Sequence, residues 1–228
     1  GDVLTDLDVG ALWKFHRERS AEGTIALTPV EDPSRFGVVP VDEKGQVTAF
    51  VEKPKPGTAP TNWINAGTYV LEPSVLDRIP TGRKVSIERE TFPAMVADGS
   101  LYAMASDAYW ADAGTPNTYA EVQLDLIDGV RGEAERAIDP RVVISPSAVV
   151  DHSVVMAGVS IGDDAVIRDS VILPGARIDP RVLLDGSVIG AGARIGEGAV
   201  LSGMTVIGDR YEVRAGAHLD GARLPEEG

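Results

Sequence analysis

Cysteine is absent from the 228 residues. That excludes disulfides, thiolate metal sites and cysteine nucleophiles, and it is compatible with a reducing, cytoplasmic setting without proving one. No apolar run approaches the ~20 residues of a membrane span, and no signal peptide is visible. Basic residues are scarce: Lys and Arg number 21 against 35 Asp and Glu, giving a net charge of -14 and a pI of about 4.6. Neither nucleic acid nor an anionic membrane surface is therefore expected as a main partner. Phosphates can still bind locally, through Lys, the amides of Gly turns and a bridging cation. Three more patterns are missing: a phosphate-binding GxxxxGK, an HExxH pair and any Ser-His-Asp spacing.

What is present suffices for one or two domains with a sizeable core, since 43% of the residues are hydrophobic. The chain opens on Gly1-Asp2-Val3-Leu4-Thr5, where Val3 and Leu4 read as the tail of a strand whose start is missing. The expectation is a sequence that begins inside a domain. A helix is expected over residues 6–21, capped by Asp6 or Asp8, and a buried strand over residues 24–28. Residues 38–41 and 46–51 read as two strands joined by the turn Asp42-Glu43-Lys44-Gly45. A Pro-rich loop follows from Pro54 to Pro60, and then a strand over 64–71. Short helices are expected at 73–78 and 86–97, strands at 101–105 and 109–111, and a helix at 116–130 with Thr115 as its cap and Pro116 in its first turn. Alternation of this kind argues for an α/β layer structure.

From about Pro140 the rhythm changes. Aliphatic residues stand at Ile144, Val150, Met156, Ile161, Ile167, Leu173, Ile178, Leu184, Ile189, Ile195, Leu201, Ile207, Val213 and Leu219. The step is six, with a few of five, and is the hexapeptide repeat of a parallel β-helix with three hexads to a coil. Each of these residues is expected to point inward. The Gly after several of them (Gly162, Gly190, Gly196, Gly208) is expected to serve corners that need positive φ.

Candidate chemistry lies before the repeats. Asp2 follows a strand end, where open α/β sheets place ligand groups, and Asp112 sits on a short aromatic strand before the Gly114 turn. Two carboxylates with few other protein ligands suit Mg²⁺, which keeps waters and takes phosphate oxygens. Each Asp also reads as an ordinary solvated turn residue. Glu52 and Lys53 stand at a strand end, able to meet sugar hydroxyls and a phosphate if Pro54 breaks the strand so that they share a face. The bland alternative is a surface ion pair. Asn65-Ala66-Gly67 lies in a strand, where Gly marks close approach by a ligand or a backbone, or else a bulge; Gly37 in Arg35-Phe36-Gly37 follows the same logic. His152, beside Asp151, is the one candidate for an acyltransferase histidine on a hexapeptide solenoid, against a structural role.

Taken in order, Gly1-Asp2, Arg35-Phe36-Gly37-Val38-Val39, Phe50-Val51-Glu52-Lys53-Pro54, Asn65-Ala66-Gly67-Thr68-Tyr69 and Trp110-Ala111-Asp112-Ala113-Gly114-Thr115 resemble the sugar-phosphate nucleotidyltransferases. Ile64 to Gly67 and Ser86 to Pro93 look most like the mannose-1-phosphate guanylyltransferases among them. The resemblance implies a Rossmann-like α/β nucleotidyltransferase domain over 1–135, incomplete at its nucleotide-binding side, and a left-handed parallel β-helix over 140–224. It implies a Mg²⁺-dependent reaction of GTP with mannose 1-phosphate, giving GDP-mannose and pyrophosphate. Asp2 and Asp112 would hold Mg²⁺ and Lys53 the sugar phosphate. Glu52, Asn65 and the backbone of Gly37 would bind the sugar, with Gly67 allowing close approach. The family's Gly-rich loop with its Arg and activating Lys is not in this sequence, so turnover by these residues alone is not expected. The alternatives are a glucose-1-phosphate nucleotidyltransferase and a non-catalytic scaffold that assembles through the β-helix. A homo-oligomer joined at an exposed end coil is expected.

Overall fold

The computed structural model describes residues 2–225; Gly1, counted above in a matching segment and in the first domain, lies outside the described residues. The chain forms two compact units, one of Val3–Trp110 and the other of Asp2 with the residues from Ala111 onward.

The first unit runs β1 (Val3–Thr5), α1 (Val9–Glu18), β2 (Gly23–Pro29), β3 (Gly37–Val38), β4 (Val51–Glu52), β5 (Trp63–Leu71), α2 (Phe92–Ala97) and β6 (Leu101–Ala105). Five strands make one mixed sheet in the order β4-β3-β5-β2-β6, with β2 parallel to β6 and antiparallel to β5. Six successive residues of β2 are buried, which requires cover on both faces. Ile25 and Leu27 pack with Val39, Phe92, Met95 and Leu101, whereas Ala26 packs with Leu12 of α1 and Ala66. Phe92 anchors the first cluster through ring contacts with Phe50 and Tyr69, at centroid distances of 5.5 and 5.2 Å.

Three local expectations need adjusting. The first helix is shorter than 6–21, because Asp8 caps it by accepting from the Ala11 amide at 2.9 Å. The hairpin is mostly irregular. Pro40 has no amide to donate, so β3 and β4 are two residues each, joined further along by a single Val41–Val47 bridge. The expected helix over 86–97 opens as a π-turn, Ile87–Thr91, under a Ser86 cap, before α2 begins.

Strand β7 (Trp110–Asp112) leads from one unit to the other. In the second unit α3 (Pro116–Asp128) starts under a Thr115–Thr118 capping box and stops at Gly129, which is in the left-handed region. A parallel β-solenoid of about five turns follows, as in a left-handed β-helix, with three five-stranded sheets. Val154 pairs with Val171 and Val171 with Val188, so a coil takes 17 residues. One coil takes 18, because Gly203-Met204 occupies a corner where the others have one residue.

Two readings of the repeat are corrected. Val155 and Ile172, not Met156 and Leu173, point into the solenoid; Met156 and Leu173 lie in the cluster formed with α3. The chain spends only five residues at that corner, so a six-step count overshoots by one. The glycines after the aliphatic residues do not have positive φ either. A Cβ on Gly162, Gly190 or Gly196 would come within 2.5–2.7 Å of backbone atoms one coil away. Their lack of a side chain is what lets coils stack. Positive φ belongs to other corner residues, such as Gly158, Gly175 and Gly192.

A third column of the solenoid is polar. Ser153, Ser170, Ser187 and Thr205 are buried. The Ser170 hydroxyl donates to the Arg168 carbonyl at 2.6 Å and accepts from the Ser187 amide at 3.0 Å, while the Ser153 hydroxyl accepts from the Ser170 amide at 3.1 Å. The hydroxyls thus satisfy corner amides that would otherwise be orphaned between coils.

Candidate active site

Asp2 and Asp112, more than a hundred residues apart in sequence, meet in the second unit. The Ala113 amide donates to the Asp2 carbonyl at 2.7 Å, and the Gly114 amide donates to Asp112 Oδ1 at 3.0 Å. A Cβ on Gly114 would lie 2.7 Å from Asp2 Oδ2 and 2.9 Å from Asp112 Oδ1. The two carboxylate oxygens therefore flank one point, and the missing side chain keeps that point clear. Asp112 is half-buried and Asp2 exposed. An octahedral Mg²⁺ needs oxygens about 2.1 Å from its centre and keeps most of its waters. Two hard carboxylate oxygens on a cleared, solvent-accessible space are a donor set that fits it.

In the first unit, β3 and β4 bring Gly37 opposite Glu52. A Cβ on Gly37 would meet Phe50 Cζ at 2.8 Å and Glu52 Oε2 at 3.0 Å, so the glycine is what lets this edge close. The strand ends at Glu52. The break expected from Pro54 comes one residue earlier, at Lys53, whose φ of 48° lies in the left-handed region. Lys53 is exposed and tied to the loop by its amide, which donates to the Phe36 carbonyl at 3.0 Å. A non-glycine residue in this conformation is strained, a state that clusters at ligand-binding positions.

Asn65 and Gly67 form the second part of this edge. The β2–β5 register passes from Ile25–Tyr69 to Leu27–Asn65, so three residues of β5 bulge opposite Ala26. Gly67 sits in the bulge at φ 74°, and a Cβ there would touch only Val3 Cγ2 at 3.6 Å. Its glycine is required by backbone conformation, and the space above it is open. Asn65 closes the bulge: its Oδ1 accepts from the Gly67 amide at 3.0 Å and its Nδ2 donates to Tyr69 Oη at 2.8 Å. Trp110 Nε1 donates to the Ala66 carbonyl at 2.9 Å, fixing the other side.

Two residues that the sequence reading gave no role stand at this edge. Burial pushes the Tyr69 phenol up from its ordinary value, and the neighbouring charges of Glu88 and Glu52 push it further, against the opposing hydrogen bond from Asn65. Tyr69, Glu88 and Glu52 thus share one neighbourhood. The four-residue spacing of Asn65 and Tyr69 on one strand was the available signal for Tyr69. Glu88 had none beyond its place in the first turn after the Ser86 cap.

The pattern that defines the family described as "Nucleotidyl transferase" matches residues 1–129. The chain belongs to the nucleotidyl transferase family. The pattern described as "GMPPB C-terminal domain" matches residues 133–226. Members of the nucleotidyl transferase family generally use a divalent metal, and their substrates are a sugar phosphate and a nucleoside triphosphate. Among similar proteins, mannose-1-phosphate guanylyltransferase of Mycobacterium tuberculosis is 43% identical over 172 residues, covering 71% of this chain and 47% of that protein. Mannose-1-phosphate guanyltransferase beta-A of Xenopus laevis is 43% identical over 131 residues, 57% of this chain and 36% of its own. The catalytic subunit beta of the Dictyostelium discoideum mannose-1-phosphate guanylyltransferase is 44% identical over 119 residues, 52% and 32% respectively. This nucleotidyl transferase chain thus spans about half the length, or less, of these relatives. The family match reaches past α3, yet α3 packs within the same compact unit as the solenoid. No helix among the described residues is long and apolar enough to cross a membrane.

Proposed function

We propose that this protein serves nucleotidyl transfer from GTP to mannose 1-phosphate, giving GDP-mannose and pyrophosphate. The observation that carries the reading is the meeting of Asp2 and Asp112 across the bare face of Gly114. These two carboxylates would hold Mg²⁺, which when bound neutralises phosphate charge. An oxygen of the sugar 1-phosphate attacks the α-phosphorus of the nucleotide, a new O–P bond forms, and the bond to the β-phosphate breaks to release pyrophosphate. Such chemistry is positioning and charge stabilisation. Lys53 holds the sugar phosphate; its left-handed backbone turns it away from the regular strand at the point where β4 ends. Glu52, Asn65 and the backbone of Gly37 take the sugar, and Gly67 leaves room above the bulge. The choice of guanine and mannose rests on the relatives' names and on the Ile64–Gly67 and Ser86–Pro93 segments. We read the nucleotidyltransferase domain as extending to residue 135 and the β-helix as spanning 140–224. The protein works in the cytoplasm as a homo-oligomer joined through the β-helix, where the strands Glu212–Val213, His218–Asp220 and Arg223–Leu224 pair on one side only among the described residues. It needs no nucleic acid or membrane partner.

The test is Mg²⁺-dependent pyrophosphate release by the full-length gene product, with mannose 1-phosphate and glucose 1-phosphate compared and each nucleoside triphosphate tried in turn. Activity with GTP and mannose 1-phosphate that falls by about a thousandfold in Asp112→Asn is the expected result. Preference for glucose 1-phosphate would replace the sugar assignment. No release with any sugar 1-phosphate would leave a scaffold. Light scattering that finds a monomer at micromolar concentration would remove the oligomer.

A further inference from the structure

Every corner of the solenoid uses left-handed residues; at the corner beside the end of α3 the equivalent positions hold His152, Asp169, Gly186, Gly203 and Gly221, with φ between 39° and 63°. Three of the five are glycine, which adopts this conformation freely. His152 and Asp169 are not; both are residue types that enter this region more readily than most, at a modest cost relative to glycine. Both side chains are in use. His152 Nδ1 bonds Asp169 Oδ1, and His152 Nε2 lies 3.1 Å from both carboxylate oxygens of Asp128. With both ring nitrogens engaged by carboxylates, neither is left to take a substrate proton, which argues against an acyl-transfer role.

Asp128 is the last residue of α3. A carboxylate at a helix C-terminus opposes the helix dipole and needs a cation to meet it; the imidazole between two carboxylates supplies that. Along its length α3 packs Tyr119, Ala120 and Ile127 onto Val154, Val171 and Val188 of the adjoining sheet face. At its other end the helix begins at the Thr115 cap, three residues after Asp112, whose Oδ1 accepts from the Gly114 amide. This corner, the helix and the carboxylate pair belong to the same compact unit.

We infer that His152 is a positioning residue for the Asp2–Asp112 carboxylates, acting through Asp128 and α3, so that the solenoid is the scaffold on which the metal-binding pair is fixed. This rests on the metal reading given above. Glycine at those two coils would keep the backbone of the corner but would remove the side chains that hold the end of the helix. The clamp sits at the coils beside the end of α3, and the later coils revert to glycine.

The experiment measures Mn²⁺ affinity by calorimetry, amide hydrogen exchange over 116–128 and thermal unfolding on the full chain, for His152→Ala, His152→Gly and Asp112→Asn. Both His152 variants are expected to lose exchange protection in the last turn of α3 and to bind Mn²⁺ about threefold to tenfold more weakly, the size of effect that side chains remote from a site have on it. His152→Gly is expected to unfold at the same or a higher temperature than His152→Ala, because glycine accepts the backbone. A fall in metal affinity with unfolding temperature kept separates positioning from general destabilisation. If exchange increases but Mn²⁺ affinity does not change in His152→Gly, the clamp only stabilises and the inference is overturned. If Asp112→Asn binds Mn²⁺ as well as the parent, the metal reading itself fails and takes this inference with it. Loss in Asp112→Asn with none in the His152 variants overturns the inference alone.

Discussion

Gly190 and Gly192 stand two residues apart in one coil and are glycine for different reasons, which makes them a sharp test of how the solenoid is built. Gly192 has φ 66°, and a Cβ there would meet only Arg210 Cγ, at 3.4 Å. Replacing it with Ala costs the left-handed strain of about 1–2 kcal/mol, partly offset by a less flexible unfolded chain. Asn, which tolerates that conformation, should cost less than Ala. Gly190 has ordinary φ, but a Cβ there would lie 2.5 Å from the carbonyl carbon of Gly208, 2.6 Å from the Asp209 nitrogen and 2.7 Å from the Ile207 oxygen. Carbon contacts are comfortable near 3.5–4.0 Å, and these neighbours are backbone, so no rotamer change can yield. The Gly190 amide also donates to the Ile207 carbonyl at 2.7 Å, so spreading the coils weakens the ladder as well. Gly190→Ala should therefore cost about 3 kcal/mol or more, and Gly190→Asn should be no better. Urea unfolding followed by far-UV circular dichroism measures both, compared at unchanged m-value. If Asn rescues position 190 as it does 192, or if the two Ala variants agree within error, the stacking argument is wrong and the glycine is a matter of backbone conformation after all.

Ser170→Ala removes the hydroxyl that serves both the Arg168 carbonyl and the Ser187 amide, leaving a buried donor without a partner; a loss of about 1–3 kcal/mol in urea unfolding is expected, and a neutral result would mean that the polar column is not structural. The carboxylates of Asp169 and Asp128 raise the His152 pKa above its usual value. Its contribution is full below the ordinary imidazole range near 6.5, and is lost as pH rises through the higher folded value. At about 40% side-chain exposure the effect is at most about 1 kcal/mol. A thermal-unfolding profile from pH 5.5 to 8.5 that slopes downward in the parent and flattens in His152→Gln is the expected pattern, and parallel profiles would refute it. Lys53→Gly should relieve the strain of φ 48° and raise stability by up to about 1 kcal/mol while raising KM for the sugar 1-phosphate in the full-length enzyme; unchanged KM would dismiss Lys53 as the phosphate ligand.

The parts of this molecule legible in its sequence are those where a local rule and the final fold agree. Thr115 and Pro116 announced α3, because the capping side chain and the fixed φ of proline act within one turn. The solenoid was legible because its period is written into the chain, but its phase was not. At Val155-Met156 and Ile172-Leu173 two apolar residues stand side by side, one facing the solenoid interior and the other α3. Choosing between them requires knowing that the corner spends five residues there, a tertiary fact with no local marker. The glycines failed for a related reason: composition shows that a side chain is missing, not whether φ or a neighbouring backbone forbids it. Asp2 and Asp112 mark the limit. Nothing in the spacing of two aspartates so far apart predicts that both flank Gly114; only the ordered set of short segments suggested it. Gly114 could be placed in a turn from sequence, but its further use, clearing the space that two distant carboxylates face, becomes visible only when the chain has closed on itself. A Gly114→Ala substitution accordingly tests the site more directly than it tests the turn. Its Cβ would press on Asp2 Oδ2 and Asp112 Oδ1, both side-chain atoms that can swing aside. Stability should therefore change by no more than about 1 kcal/mol, while Mn²⁺ affinity falls, and a variant that binds the ion as tightly as the parent would show that the metal does not occupy that space.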